Sequence, residues 1–298
     1  MNPPETDWRP DAEIVLHTGD ALEFLKALPS DLLSLIITSP PYNVGKSYET
    51  RKPLTTYLSE MEPYAREMVS GLKIGGSLCW QTGNYIEDGE VFPLDLYFYP
   101  MFKRLGLKLR NRITWHYGHG LHATNRFSGR TETLLWFTKG DGYLFDLDAV
   151  RVPAKYPGKR HFKGPKKGQL SGNPLGKNPS DFWEFMQEEW DGRPWEIPQV
   201  KHNHPEKTAH PAQFPVELVE RCILPLTRPG DWVMDPFGGS GTVAVAAVMH
   251  GRKTISVDRD PTYTAIASRR ISMLRSGQLP IRPVGRPIHV PARQSVLK

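Results

Sequence analysis

Three short groups of residues could carry chemistry in this chain. The first is Ser39-Pro40-Pro41-Tyr42, at the end of the apolar run Leu33, Leu35, Ile36 and Ile37. Two prolines remove two backbone donors and stop any sheet ladder. The Pro40 carbonyl then lacks a helical partner and can point outward as an acceptor. Ser39 adds a hydroxyl, and Tyr42 adds a flat ring with a polar tip. This set suits a planar partner that carries an NH2, such as the amino edge of a nucleobase. The second group is Asp235-Pro236-Phe237-Gly238-Gly239-Ser240-Gly241-Thr242. Its glycines let a ligand approach the backbone, and the helix expected next offers free N–H groups. The third is a pair of acids at expected strand tips. Asp258 is placed to accept from ribose hydroxyls. Asp20 reads equally well as a helix N-cap and as a ligand contact.

Each group also has a plainer or rival reading. Ser-Pro-Pro-Tyr alone is a stiff strand-to-loop turn. Gly239-Ser240-Gly241-Thr242-Val243-Ala244 satisfies the dinucleotide pattern GxGxxA, so a nicotinamide dehydrogenase competes on that stretch. A P-loop is excluded by the missing Gly-Lys-Ser/Thr. His116, His119 and His122 are evenly spaced, yet no neighbouring acid or cysteine supports a zinc site.

The elements that must position these groups alternate between strand and helix. Strands are expected at 13–17, 33–37, 77–81, 112–115, 133–138, 231–235 and 253–258. Helices are expected at 21–28, 55–72, 94–105, 216–226, 243–249 and 261–274, with Pro63 kinking or splitting the second. Gly75-Gly76 should end the connection before the third strand. The strands at 112–115 and 133–138 should form an antiparallel edge hairpin, and 45–52 a polar loop. Asp260 and Pro261 suit the start of the last helix. The alternation implies parallel pairs with right-handed crossovers.

At 298 residues the chain is long enough for one large domain or two modest ones. The +6 formal charge leans toward a polyanionic partner. Two distant cysteines, Cys79 and Cys222, give no disulfide framework or CxxC metal site. No apolar run is long enough to span a membrane, and no signal-peptide pattern opens the chain, so a cytoplasmic protein is expected. The basic residues concentrate. Arg151, Lys155, Lys159, Arg160, Lys163, Lys166, Lys167 and Lys177 occur with no acid among them and with Tyr156 and Phe162 interleaved. That mixture suits phosphate contacts and base stacking, and Arg126 and Arg130 extend it. Trp183, Trp190 and Trp195 read as packing or a subunit contact.

Taken together, Thr38-Ser39-Pro40-Pro41-Tyr42-Asn43 and Asp235 to Thr242 resemble the DNA amino-methyltransferases, over roughly residues 12–275. With the catalytic motif first and the cofactor motif last, the order resembles the permuted β group. The resemblance implies a Rossmann-like α/β fold: a mixed, mostly parallel sheet with helices on both faces, plus an irregular basic recognition segment. It divides the chain into a catalytic half (12–140), a target-recognition segment (141–206), a cofactor half (207–275) and a tail (276–298). It implies S-adenosylmethionine as cofactor and double-stranded DNA as substrate, with a homodimer and a cognate restriction endonuclease as further partners. Ser39, Pro40, Pro41 and Tyr42 become the catalytic set. Asp20, Ala21, Asp235, Phe237, Gly239, Ser240, Gly241, Thr242 and Asp258 become the cofactor set, joined by His210, Pro211 and Gln213 from the group's cofactor-tail motif. Within it, Phe237, Gly239 and Gly241 would line the methionine end. Ser-first turns are commoner in the cytosine-N4 enzymes and carboxylate-first turns in the adenine-N6 enzymes, so cytosine N4 is expected. A protein-glutamine methyltransferase places its turn after the glycine-rich motif, opposite to the order here. A non-enzymatic DNA-binding module would need only the basic segment.

Overall fold

A computed structural model describes residues 4–46, 49–117, 122–154, 156–183, 200 and 204–282. The expected positions Lys155, His119, Trp190 and Trp195, and the tail from 283, lie outside the described residues.

Ten strands and six α-helices are described. The strands are β1 (Ile14–Thr18), β2 (Leu33–Thr38), β3 (Leu72–Thr82), β4 (Asn84–Glu87), β5 (Glu90–Pro93), β6 (Leu107–His116), β7 (Thr131–Lys139), β8 (Phe182–Trp183), β9 (Trp232–Asp235) and β10 (Lys253–Asp258). The helices are α1 (Ala21–Ala27), α2 (Leu54–Gly71), α3 (Leu94–Arg104), α4 (Val216–Leu226), α5 (Thr242–Met249) and α6 (Pro261–Arg275). Eight strands form one sheet in the order β1-β10-β9-β2-β3-β7-β6-β8, and β4-β5 is a separate hairpin. The run from β1 to β3 is parallel, β7 is antiparallel to β3 and β6, and β8 is parallel to β6.

The alternation of each strand divides the core in two. Leu35, Ile37 and Val233 pack with α4, α5 and α6 on one face. Ile36, Leu78, Trp80 and Met234 pack with α1, α2 and α3 on the other. Helices on both faces explain why β2 is buried along its whole length. No described helix is long and apolar enough to cross a membrane.

Three expectations need correction. Strand β3 starts at Leu72 rather than Ser77, because a bulge carries it through Gly75-Gly76. Gly75 has φ +79°, and a Cβ on Gly76 would sit 2.8 Å from the Lys73 carbonyl oxygen, so glycine alone fits the bulge. Helix α2 is not split by Pro63, which sits inside it. The β6–β7 pair is antiparallel but not the edge, since β3 flanks β7 and β8 flanks β6.

The chain leaves β9 through α5 toward β10, and leaves β2 through α2 toward β3. Neighbouring strands β9 and β2 therefore send their connections in opposite directions. This is the topological switch point, where a crevice opens beyond the carboxyl ends of the strands. The turn after β2, the glycine-rich turn after β9, Asp258, Asp20 and the start of antiparallel β7 all share that edge.

Candidate functional site

The two turns at the switch point are tied together. Thr38 Oγ1 donates to Asp235 Oδ1 at 2.6 Å, and the Phe237 N–H donates to the same oxygen at 3.0 Å. Asp235 is fully buried, and burial pushes its carboxyl up to about 7 despite these two donors. Its Oδ2 is buried with no hydrogen-bond partner among the described residues.

In the first turn, the Tyr57 hydroxyl donates to the Pro41 carbonyl at 2.6 Å. The Pro40 carbonyl accepts from no described residue, and Pro40 lines the crevice. Asn43 has φ +60° and clasps the Lys52 backbone through both ends of its amide, at 2.6 and 2.7 Å. Glu49 accepts from the Asn43 and Val44 N–H groups at 2.8 and 2.9 Å. The polar loop after the motif is therefore fastened to the turn it follows. Ser39 Oγ lies 2.8 Å from Tyr42 Oη. The Tyr42 ring sits against Gly83, where a Cβ would come within 3.2 Å of it. Tyr42 Oη also reaches Glu132 Oε2 at 3.4 Å, and Gln81 Nε2 donates to that oxygen at 2.6 Å.

In the second turn, Asp258 accepts the Gly239 N–H at 2.8 Å on one oxygen and the Asp260 N–H at 2.9 Å on the other. Burial raises its carboxyl, and those donors offset the rise in part. Arg270 of α6 is buried beneath the turn and donates to the Ser240 carbonyl at 2.9 Å and to Thr242 Oγ1 at 3.0 Å. Burial lowers its guanidinium to about 10, with Glu206 opposing. Gly239 has φ +50°, and a Cβ there would meet His210 Nε2 at 2.9 Å.

Between the turns lies a cleft of 1330 Å³. Ser39, Pro40, Pro41, Tyr42, Ala21, Phe237, Gly239, Ser240, Thr242 and Asp258 all line it, as do His210, Pro211 and Gln213. Three expected members, Asp20, Asp235 and Gly241, do not. Gly241 turns inward at φ +72°, and a Cβ on it would lie 2.5 Å from that of Ala267. It lets α6 approach α5 rather than facing a ligand. Asp235 lies behind the cleft wall. Gln213 lines the cleft, but its amide is engaged by Thr208 and by the Glu206 carbonyl, so it shapes its own loop. The His210 ring packs edge-on against Tyr263 at 4.4 Å, and burial with the Lys207 charge lowers it to about 4. It is neutral at pH 7.

Asp20 is the helix N-cap its position allowed, and its second oxygen is taken by an ion pair rather than turned into the cleft. Oδ1 caps α1 through Leu22 N at 2.8 Å, while Oδ2 pairs with Arg259 and, at 3.4 Å, with the Tyr64 hydroxyl. Burial pushes its carboxyl up, but Arg259 and the helix N–H groups outweigh this and the net shift is downward. Tyr64 in turn lies 5.5 Å from the Phe237 ring.

The basic segment is not irregular throughout. Arg160 and Leu170 bridge antiparallel. The His161 and Gly168 N–H groups each donate at 3.0 Å, to the Gln169 and His161 carbonyls respectively. The result is a small hairpin with Lys163, Lys166 and Lys167 near its tip, all exposed. Lys159, Arg160 and Arg126 are exposed too, and Arg130 partly so. Trp183 is buried in the core beside β6, as packing requires.

Glu132, Gln81, Arg259, Tyr64 and Arg270 were missed in the sequence. None stands in a motif, and each acts through partners distant in the chain.

The arrangement fits S-adenosylmethionine. Glycines open the backbone beside Asp258, Phe237 offers a ring, and a buried carboxylate oxygen awaits a donor such as an ammonium or its water. The comparisons agree. A DNA methylase family model for N6 and N4 enzymes matches residues 33–269. Type II methyltransferase M.BglII of Bacillus subtilis is 44% identical over 258 residues, covering 86% of this chain and 68% of that protein. The PvuII cytosine-N4 methyltransferase structure aligns with a TM-score of 0.63 at 23% identity, covering 88% of this chain and 91% of that one, a likeness of fold. A DNA modification methylase of Thermus thermophilus, described as putative and solved with S-adenosyl-L-methionine, aligns with a TM-score of 0.60 at 26% identity, covering 88% and 95%. The chain belongs to the DNA methylase family, the S-adenosylmethionine-dependent amino-methyltransferases of cytosine N4 and adenine N6.

Proposed function

We propose that the chain methylates N4 of cytosine at a fixed site in double-stranded DNA, as the modification half of a restriction system. The observation that carries the choice of base is Ser39, a hydroxyl where adenine enzymes more often have a carboxylate, beside a Pro40 carbonyl left free to accept. The likeness to a type II methyltransferase supports the restriction setting. The motif order supports the permuted β arrangement. Strand β1 pairs with β10 and packs against α6, so joining α6 to β1 would restore an ordinary doubly wound order.

The exocyclic nitrogen is a poor nucleophile because its lone pair is delocalised into the ring. Ser39 Oγ and the Pro40 carbonyl would take its two hydrogens and turn the lone pair toward the cofactor end of the cleft. Tyr42 would stack on the flipped-out base. When bound, S-adenosylmethionine supplies a methyl group on a sulfonium that leaves readily. The protein contributes placement and preset electrostatics. Mass spectrometry of nucleosides from DNA incubated with labelled cofactor tests the reading. Labelled N4-methylcytosine upholds it, and labelled N6-methyladenine overturns the choice of base.

Two expected results follow from the same site. Asp235, with its carboxyl near 7 in the free protein, would ionise to receive the cofactor's ammonium. Binding then releases a proton below pH 7, and affinity falls as pH drops from 8 to 6, by up to about tenfold per unit below the pKa. The same raised pKa disfavours the ligand-free fold as pH climbs through 4 to 7, since the unfolded group ionises first. Calorimetry in two buffers of different ionisation enthalpy reads the proton release, and a pH-independent affinity would exclude Asp235. Reversing charge at Lys163, Lys166 and Lys167 should weaken DNA binding and lower the salt slope by about 0.9 per lost phosphate contact. An unaltered slope would remove the hairpin from the interface.

A further inference from the structure

Ser39 Oγ, Tyr42 Oη, Glu132 Oε2 and Gln81 Nε2 form one chain of hydrogen bonds, at 2.8, 3.4 and 2.6 Å. It runs from the catalytic turn across β7 to β3. A serine at the head of this turn has a problem that an aspartate lacks. Ionised aspartate only accepts, but a hydroxyl both accepts and donates. If the Ser39 proton points into the cleft, it meets the hydrogens of the target amino group and repels them.

The far end of the chain resolves this. Gln81 Nε2 can only donate, so Glu132 Oε2 accepts there. An ionised Glu132 has no proton to give and accepts from Tyr42 as well. Tyr42 has a single proton; once it is directed at Glu132, the Tyr42 oxygen can only accept from Ser39. The Ser39 proton is then engaged, and its lone pairs are left for the cleft. We propose that Glu132 is a positioning residue that fixes the direction of these hydrogen bonds, so that Ser39 presents lone pairs to the target amino group. The inference rests on the reading of Ser39 as the amino-group acceptor.

The surroundings fit that role. Glu132 lines the cleft with Tyr42 and Ser39. The groups set against it are Tyr42 from the turn, Gln81 from β3 and the register partner Trp115 from β6, with Arg130 the nearest charge along its own segment. Burial raises the Glu132 carboxyl, and the bonds from Gln81 and Tyr42 offset only part of the rise. The group therefore protonates at a higher pH than an ordinary glutamate. A protonated Glu132 can donate to Tyr42 and reverse the chain, so acid should switch Ser39 off.

The test uses the full chain with Glu132→Gln and Glu132→Leu. Methyl transfer from labelled S-adenosylmethionine to DNA is followed at saturating cofactor and DNA from pH 5.5 to 9. Glutamine keeps an acceptor but cannot titrate, so kcat at pH 8 should stay within about fivefold of the wild type while the acid limb of the profile disappears. Leucine removes the acceptor, so kcat should fall at least about tenfold, with the cofactor Kd and the DNA KM within about twofold. Rescue of Leu by Gln separates direction-setting from packing. A Glu132→Gln profile with the wild-type acid limb, or a Glu132→Leu kcat equal to that of the wild type, overturns the proposal. Ser39→Ala in the same assay distinguishes the two levels: a kcat far below the wild type upholds Ser39 as the acceptor whichever way the Glu132 variants behave, and a kcat equal to the wild type overturns both.

Discussion

Replacing Ser39 with alanine is expected to lower kcat by about a hundredfold and to leave cofactor affinity unchanged. Two acceptors are assigned to the target amino group, the Ser39 hydroxyl and the Pro40 carbonyl, and both residues line the cleft. Alanine removes one and leaves the backbone in place. Loss of one preorganised hydrogen-bonding group at a reacting centre costs roughly 10²–10³ in kcat in other enzymes. The lower end applies here, because Pro40 remains. Ser39 is also the 2.8 Å partner of Tyr42, so the ring loses one restraint and keeps its contact with Gly83. The glycine-rich turn is held by Asp258 and Arg270 and does not depend on Ser39. Calorimetry with S-adenosylmethionine should therefore give the wild-type Kd, and DNA binding should change by no more than a few-fold. A kcat within threefold of the wild type would remove Ser39 from the chemistry and leave the Pro40 carbonyl as the acceptor.

The parts of this site that sequence reveals are those that local chemistry dictates. Leu33 to Ile37 is too short an apolar run for a stable helix and suits a strand buried on both faces, and Ser39-Pro40-Pro41 ends it. Asp260 with Pro261 favours a helix start, and Asp260 does cap α6 through the Thr262 N–H at 2.8 Å. The rival dinucleotide reading of the glycine-rich turn could not be dismissed locally. It gave no role to Ser39-Pro40-Pro41-Tyr42, and the match across residues 33–269 decides for the methylases.

What remained hidden depends on distance along the chain. Glu132 meets Tyr42 across 90 residues, and Arg259 meets Asp20 across 239. Only the sheet order brings them together, and no motif records it. Gly241 and Gly239 look alike in the sequence, yet one faces Ala267 and the other His210, because the turn rotates between them. The lysine-rich hairpin escaped notice because backbone hydrogen bonds build it, and these have no apolar period. Strand β8 is two residues long, too short for any pattern.

Asp258→Ala is expected to raise the Kd for S-adenosylmethionine by about a hundredfold or more. The carboxylate has two duties that alanine cannot perform. It holds the Gly239 N–H at 2.8 Å, which sets the glycine-rich turn, and the Asp260 N–H at 2.9 Å, which sets the start of α6. Hydrogen bonds to a charged acceptor contribute about 1.5–3 kcal/mol each. Each oxygen also keeps a second lone pair for the ribose hydroxyls expected beside it. Loss of about 3 kcal/mol corresponds to roughly a hundredfold in Kd. Asp258→Asn keeps one accepting oxygen and should lose only about tenfold. At saturating cofactor, kcat should stay within a few-fold of the wild type in both variants, since neither duty touches the target base. That separates Asp258 from Ser39, whose loss is read in kcat alone. Calorimetry decides the matter: an unchanged Kd for both variants would mean that neither the turn contacts of Asp258 nor its free lone pairs matter to the ligand, and that the ribose is bound elsewhere.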